Sequence, residues 1–362
     1  MRVIHKAALK TKVLKLHPEF PSIESILKCA AVIKEGGLVV FPTETVYGIA
    51  ADHTNPKAIQ RLQNVKNRSS HKPFSILISQ SELISNYTNC NNPFLFKLVD
   101  KYWPGPLTVV VESKEENVTV GIRVPDNVIA QKLLSEVHVP VAAPSANLEG
   151  KPAPRTIEEA MADLDGLVDL AIDGGPARFG EGSTVVDITQ KNPVVLREGV
   201  IKKVDIDALA KKKTILFVCT GNSCRSVMAH YLLESYLKHR DDIEICSAGT
   251  GVFIQSKASA ETLSVLQEKG IRAHHHLSTP INEILLRKAD LIFVMTRGHR
   301  QQVLERVPEV EKKIYLLKEF AAGPDSLLSE LDIPDPIGRD RAEYKFCLSV
   351  IEQAVNKIVG LL

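Results

Sequence analysis

In the second half of the chain, short apolar runs alternate with helical patterns. The runs T-I-L-F-V (214–218), I-E-I-C (243–246), D-L-I-F-V-M (290–295) and K-I-Y-L-L (313–317) read as strands. Helical patterns separate them at 226–238, 258–269, 280–288 and 298–306, and a longer one over roughly 341–361 closes the chain. Strands alternating with helices predict a doubly wound parallel sheet covered on both faces, with ligands beyond the carboxyl ends of its strands. The first half reads as a twisted mixed sheet with helices. Its strands are expected at 37–41, 74–78, 107–112, 119–123, 140–143 and 183–188, and its helices near 22–35, 56–66, 92–101, 126–136 and 156–164. Both halves are α/β. The lysine-rich stretch 204–213 reads as a linker or a short helix, dividing a domain 1–203 from a domain 214–362. No internal repeat or low-complexity tract is visible.

A length of 362 residues suits two domains, and 44% hydrophobic with 24% charged residues is the balance of a globular protein. No apolar run reaches the length of a membrane span. The opening MRVIHKAALKTKVLKLHPEF has no continuous apolar core, so a cytoplasmic protein without a secretory signal is expected. Residues 1–200 carry 22 basic and 22 acidic side chains, and residues 214–362 carry 18 and 19. Neither half is a basic nucleic-acid binder by composition. Six cysteines, at 29, 90, 219, 224, 246 and 347, are too sparse for a disulfide framework.

Cys219 and Cys224 fall together in C-T-G-N-S-C-R-S-V, 219–227, between the first strand and the first helix of the second half. A strand-to-helix turn aims backbone N–H groups at one spot, and the helix N-terminus adds positive potential. Gly221 permits a sharp turn, Asn222 and Ser223 can tie the loop to itself, and the fork of Arg225 matches two phosphate oxygens. A cysteine in that potential is favoured as thiolate, the nucleophilic form. Ser226 is placed to donate to it or to cap the helix. Phosphoryl transfer to sulfur also needs a proton for the leaving group. D-I-P-D-P-I-G (332–338) offers Asp335, held extended by Pro336, with Asp332 as its rival. A buried cysteine pair, a disulfide and half a zinc site are competing readings. C-x4-C lacks a second ligand pair at zinc spacing, and His274–His276 reads as a solvated turn.

With the cysteine loop and the late D-P together, residues 214–362 resemble the low-molecular-weight protein-tyrosine phosphatases. V-C-T-G-N-S-C-R-S, S-A-G (247–249), A-D-L-I-F-V-M-T (289–296) and D-P (335–336) carry the likeness. It implies that Cys219 forms a thiophosphate, Arg225 clamps the phosphoryl group and Asp335 serves as acid and then base. Gly221, Asn222, Ser223, Cys224 and Ser226 would complete the phosphate loop, with no cofactor. It also implies that Cys224 bridges Cys219 reversibly on oxidation. Val227 stands where proline is usual. Ser223 replaces the bulky apolar residue of tyrosine-selective members, and Ile337 and Gly338 replace their aromatic residues. These choices, with L-K-E-F at 317–320, are closer to the bacterial branch acting on phosphoarginine, which has threonine at the Ser223 position. Phosphotyrosine remains the second expectation.

In the first half, F-P-T-E-T-V-Y-G (41–48) runs a strand into a polar turn, K-N-R-S (66–69) sets two cations on a loop, and P-S-A-N (144–147) follows an apolar strand. No G-x-x-x-x-G-K-[ST] is present. Taken singly, a solvated helix end and a cap explain the second and third. Taken in order with K-P-F-S-I-L-I, Y-W-P-G-P-L-T, I-R-V-P-D, G-S-T-V-V-D and L-R-E-G, they resemble the Sua5/YrdC family of threonylcarbamoyl-adenylate synthases over about residues 13–200. That likeness implies synthesis of threonylcarbamoyl-AMP and pyrophosphate from L-threonine, bicarbonate and ATP, serving tRNA indirectly through other enzymes of N6-threonylcarbamoyl-adenosine formation. Lys66 and Arg68 would hold the ATP phosphates and the carboxylated intermediate. Ser145, Asn147, Ser183 and Arg197 would complete the nucleotide site, with Mg²⁺ and no side chain assigned to the metal. Thr43 and Arg123 would hold threonine, Arg123 through its carboxylate. Ser69 stands where proline is common. The expectation is a bifunctional enzyme with a phosphoprotein as its other substrate. The contrasting reading, an RNA-binding module fused to a redox-sensing or phosphate-binding domain, sits poorly with a first half of zero net charge.

Overall fold

Alternate residues of the central strands enter different cores, which is how each sheet comes to be covered on both sides. The computed structural model describes residues 10–67, 73–115, 117–190, 192–320 and 331–362. It divides into two units, Met1–Cys90 with Leu98–Asp207, and Asn91–Lys97 with Ala208–Leu362.

The strands of the first half are β1 (Lys12–Lys15), β2 (Val39–Phe41), β3 (Gly48–Asp52), β4 (Ile76–Leu77), β5 (Leu107–Glu112), β6 (Thr119–Arg123), β7 (Val141–Ala142), β8 (Leu170–Asp173), β9 (Thr184–Asp187) and β10 (Val194–Arg197). They form one mixed sheet in the order β1-β8-β2-β3-β7-β4-β6-β5-β9-β10. The helices are α1 (Ile23–Lys34), α2 (Pro56–Lys66), α3 (Pro93–Tyr102), α4 (Val128–Val137), α5 (Ile157–Leu164) and α6 (Lys203–Lys211). Val39 and Phe41 join a core with Ile26, Ile33 and Leu133, while Leu38 and Val40 join another with Leu62, Ala160 and Leu164. Burying each such aliphatic side chain contributes about 1.5–3 kcal/mol, so both faces of β2 hold the sheet in place. Asn55 caps α2, its Oδ1 accepting from Lys57 N at 3.0 Å, and Asn67 ends it at φ 52°. That stop sets Lys66 on the last turn, where its side chain is buried. The register of β10 on β9 shifts between Val195 and Arg197, a one-residue bulge at Leu196.

The expected strands and helices of this half are present, but β1, β3, β8 and β10 lie outside the predicted set. β3 reads G-I-A-A-D and is buried throughout, so it has neither alternation nor β-branched residues beyond one isoleucine. β10 is mostly exposed. The stretch read as a linker is largely helix α6.

In the second unit, β11 (Lys213–Cys219), β12 (Ile243–Gly249), β13 (Leu291–Val294) and β14 (Ile314–Leu316) are all parallel, in the order β12-β11-β13-β14. The helices are α7 (Arg225–Tyr236), α8 (Ala260–Glu268), α9 (Glu283–Lys288), α10 (Arg297–Arg306) and α11 (Arg341–Val359). Ile215, Phe217 and Cys219 pack with residues of α7, α8 and α11, and Leu216 and Val218 with residues of α9 and α10. The loop after β11 enters α7 on one face and the loop after its neighbour β13 enters α10 on the other, so the carboxyl ends of β11 and β13 flank the topological switch point.

Candidate active sites

Cys219 is the last residue of β11, and α7 begins six residues later. Among the described residues, no backbone N–H from Gly221 to Arg225 donates to a protein acceptor. These donors lie at a helix N-terminus, where an anion is favoured. The left-handed residue of the turn is Asn222, φ 48°, and not Gly221. A Cβ at Gly221 would meet only Ser223 Oγ, at 3.4 Å, so the protein itself does not demand glycine there. The Asn222 amide is oriented by its partners: Oδ1 accepts from Thr279 N at 2.8 Å, and Nδ2 donates to Ser226 Oγ at 2.9 Å. Ser226 Oγ in turn lies 3.0 Å from Cys219 Sγ. His276 donates its Nε2–H to Asn222 O at 2.8 Å. A demanding glycine position lies next door at Gly249, where a Cβ would stand 2.5 Å from Thr220 O and 2.9 Å from Asn222 N.

Arg225 is 4% exposed. Its Nη1 donates to Ile333 O at 3.1 Å, Nη2 donates to Asp335 Oδ2, and Nε is buried without a partner among the described residues. Asp332, the rival acid, instead accepts from Arg297 N at 2.8 Å at the start of α10. Asp335 is the carboxylate beside the cysteine loop. Cys224 Sγ sits among hydroxyls, 3.5 Å from Ser259, 3.6 Å from Ser223 and 3.7 Å from Tyr344. His299 bridges Thr220 and Thr296, each hydroxyl 2.8 Å from a ring nitrogen. Burial first, and Arg225 second, lower its pKa to about 4, with Asp335 and Asp332 opposing. It is neutral at pH 7. Cys347 is buried and its thiol is pushed up to about 12, mainly by burial.

In the first unit, a cavity of about 320 Å³ is lined by Thr43, Lys66, Arg123, Ser145, Ser183 and Arg197, among others, and by no carboxylate among the described residues. Asn147 stands behind Ser145, the serine Oγ donating to its Oδ1 at 2.5 Å. Lys66 Nζ donates to Ser145 O at 2.7 Å, to Asn147 O, and to Asn147 Oδ1 at 3.1 Å. The ammonium therefore shapes the S-A-N loop. Arg197, aimed by the bulge, donates to Ser183 O from Nε and Nη2 at 3.0 and 2.8 Å, and to Ser183 Oγ at 3.1 Å. Burial, and after it Arg123, lower its pKa. Thr43 Oγ1 donates to Val46 O at 2.6 Å and accepts from Thr45 Oγ1 at 2.9 Å. Its proton is thus committed to the turn. Arg123 donates from Nε to Gly105 O at 3.1 Å and from Nη2 to Glu44 Oε1 at 2.7 Å and Thr45 Oγ1 at 2.9 Å.

The model of the family described as telomere recombination (Sua5, YciO and YrdC) matches residues 31–199, and that of the low-molecular-weight phosphotyrosine protein phosphatases matches residues 214–362. The chain belongs to both families. A threonylcarbamoyl-AMP synthase of Bacillus subtilis is 37% identical over 193 residues, which is 51% of this chain and 56% of that protein. The protein-arginine-phosphatase of Geobacillus stearothermophilus is 38% identical over 148 residues, 41% of this chain and 95% of that protein. The crystal structure of Pyrococcus abyssi Sua5 complexed with L-threonine superposes with a TM-score of 0.53 at 25% identity, covering 66% of this chain and 92% of that one. The chain spans about half the length of the first curated synthases it matches, 56% and 52%.

The Sua5/YrdC-type domain gathers Lys66, Arg123, Ser145, Ser183, Arg197 and Thr43 at one cavity, with Asn147 behind Ser145. Arg68 lies outside the described residues. The phosphatase-type domain gathers Cys219, Gly221, Asn222, Ser223, Cys224, Arg225, Ser226 and Asp335 at one loop. Reading the sequence missed Glu44, Thr45, His276 and His299. The T-E-T of the P-T-E-T turn was on view, without a sign of which side chain would meet an arginine. His276 was passed over within a run of three, of which only it is buried.

Proposed function

We infer that the chain is bifunctional. Its first domain forms threonylcarbamoyl-AMP from L-threonine, bicarbonate and ATP, and its second, which we bound at residues 214–362 with 204–213 as the connection, removes phosphate from phosphoprotein. The first reading rests on the cavity itself: three cations, several hydroxyls and no lining carboxylate suit an ATP polyphosphate with an amino acid. Threonine nitrogen and bicarbonate give a carbamate and water. A carbamate oxygen then attacks the α-phosphorus, and pyrophosphate leaves. Arg197 and Arg68 offset charge on the phosphates, Lys66 holds the S-A-N loop, and Arg123 meets the threonine carboxylate, so positioning and electrostatics do most of the catalysis. Mg²⁺ enters on the triphosphate as part of the substrate, since the described lining offers no carboxylate to hold the bare ion. The product feeds other enzymes that modify tRNA.

The second reading rests on the Cys219–Ser226–Asn222 chain of contacts beside the Arg225–Asp335 pair. Cys219 thiolate attacks phosphorus while Asp335 delivers a proton to the leaving nitrogen or oxygen. Arg225 turns its unpaired Nε to the phosphoryl oxygens. Water, deprotonated by Asp335, then releases inorganic phosphate and restores the thiolate. A small hydroxyl at Ser223 and the arginine-phosphatase relative favour phosphoarginine over phosphotyrosine. Two assays on the full chain test the pair. Threonine-dependent pyrophosphate release should persist in Cys219→Ser, whereas phosphate release from a phosphoarginine peptide should vanish and exceed that from a matched phosphotyrosine peptide in the wild type. A Cys219→Ser protein with full phosphatase turnover would sink the nucleophile assignment.

A further inference from the structure

The two arginines of the synthase cavity differ in one respect. The described bonds of Arg197 all go to uncharged groups of Ser183. Arg123 carries a counter-charge, Glu44, which is 2% exposed and does not itself line the cavity. Glu44 holds Arg123 Nη2 through Oε1, while Gly105 O takes Nε. Among the described residues, only Nη1 of that guanidinium is left for an occupant of the cavity, and Glu44 Oε2 is buried without a partner. An uncompensated arginine prefers whichever anion carries most charge, so two of them in one cavity would both favour the polyphosphate. A buried carboxylate behind one of them removes that preference by repulsion.

We propose that Glu44 is a specificity-determining positioning residue: it divides the cavity by charge, making the Arg123 end a neutral pair that accepts a zwitterionic amino acid and leaving polyphosphate to the Arg197 end. This rests on the reading that Arg123 meets the threonine carboxylate. A polyphosphate at Arg123 would face Glu44 across one guanidinium. A zwitterion brings a single carboxylate for Nη1 and no net charge.

The test is steady-state pyrophosphate release from radiolabelled ATP by the full chain, with added inorganic pyrophosphate as inhibitor and L-threonine varied. In the wild type, pyrophosphate should not compete with threonine; competition there overturns the proposal without any variant. In Glu44→Gln, pyrophosphate should become competitive with threonine and the threonine KM should rise about 10-fold, the order expected of one buried charge, with kcat changed far less. An unchanged inhibition pattern, or a fall in kcat alone, overturns it. In an Arg123→Met background, Glu44→Gln should add little to the threonine KM, because Glu44 acts through that arginine. An equal effect in both backgrounds means a merely structural role. A wild type with no threonine-dependent release removes the synthase reading itself, and this inference with it.

Discussion

Ser226 has a single proton, and its neighbours direct it. Asn222 Nδ2 must donate to Ser226 Oγ, because Thr279 N–H occupies the amide oxygen. The serine hydroxyl is then free to donate to Cys219 Sγ, 3.0 Å away. A bond to a charged acceptor contributes about 1.5–3 kcal/mol, so Ser226→Ala should lower phosphatase kcat/KM about 10- to 100-fold with little change in melting temperature. Unaltered kinetics would remove Ser226 from the thiolate. His299 makes a second residue-scale prediction. Its pKa is about 4 in the fold against 6.5 for an ordinary histidine. Between those values the unfolded chain binds the extra proton. Stability present above about pH 6.5 is therefore lost as pH falls towards 4, at up to about 1.4 kcal/mol per pH unit. His299→Gln should flatten that fall, as read from melting temperatures between pH 7 and pH 5; parallel curves for the two proteins would exclude His299 as the cause.

At the scale of elements, the end of β12 is shaped by how closely the cysteine loop approaches it. Gly249→Ala would place a methyl carbon 2.5 Å from Thr220 O. The loop must then move, at a cost of about 1–3 kcal/mol, and phosphatase turnover should fall more than the denaturation midpoint of the second unit suggests. Equal loss of both would make Gly249 a packing residue only. The S-A-G motif was legible in the sequence, and so were β11, β13 and the cysteine loop, because their apolar runs and small polar residues are local signals. Asn222 taking the left-handed turn was not legible, since a glycine precedes it and propensity favours the glycine. β3 was hidden by full burial and β10 by exposure, each of which erases alternation. The cavity residues were legible only as motifs. That Lys66 gives protons to the S-A-N loop, and that Arg123 has a partner in Glu44, comes from chain segments remote in sequence, while Thr43 spends its proton within its own turn, on Val46 O.

Taken as one molecule, the chain on the proposed reading has two anion sites built by different means. The phosphatase-type domain uses backbone N–H groups and one arginine, while the Sua5/YrdC-type domain uses side chains from several strands and loops. No helix among the described residues is long and apolar enough to cross a membrane. The bulge at Leu196 matters at this scale too. β10 is the last strand of its sheet, with Val194 46% and Leu196 58% exposed. A straight, apolar outer strand is a template on which another chain can add its own. The extra residue that turns Arg197 towards Ser183 also breaks the row of outward N–H and C=O groups. Deleting Leu196 should cost nucleotide binding, read by calorimetry, and promote concentration-dependent self-association, read by light scattering. The same kink that aims the Arg197 guanidinium at Ser183 thus guards the protein against polymerising through its own border.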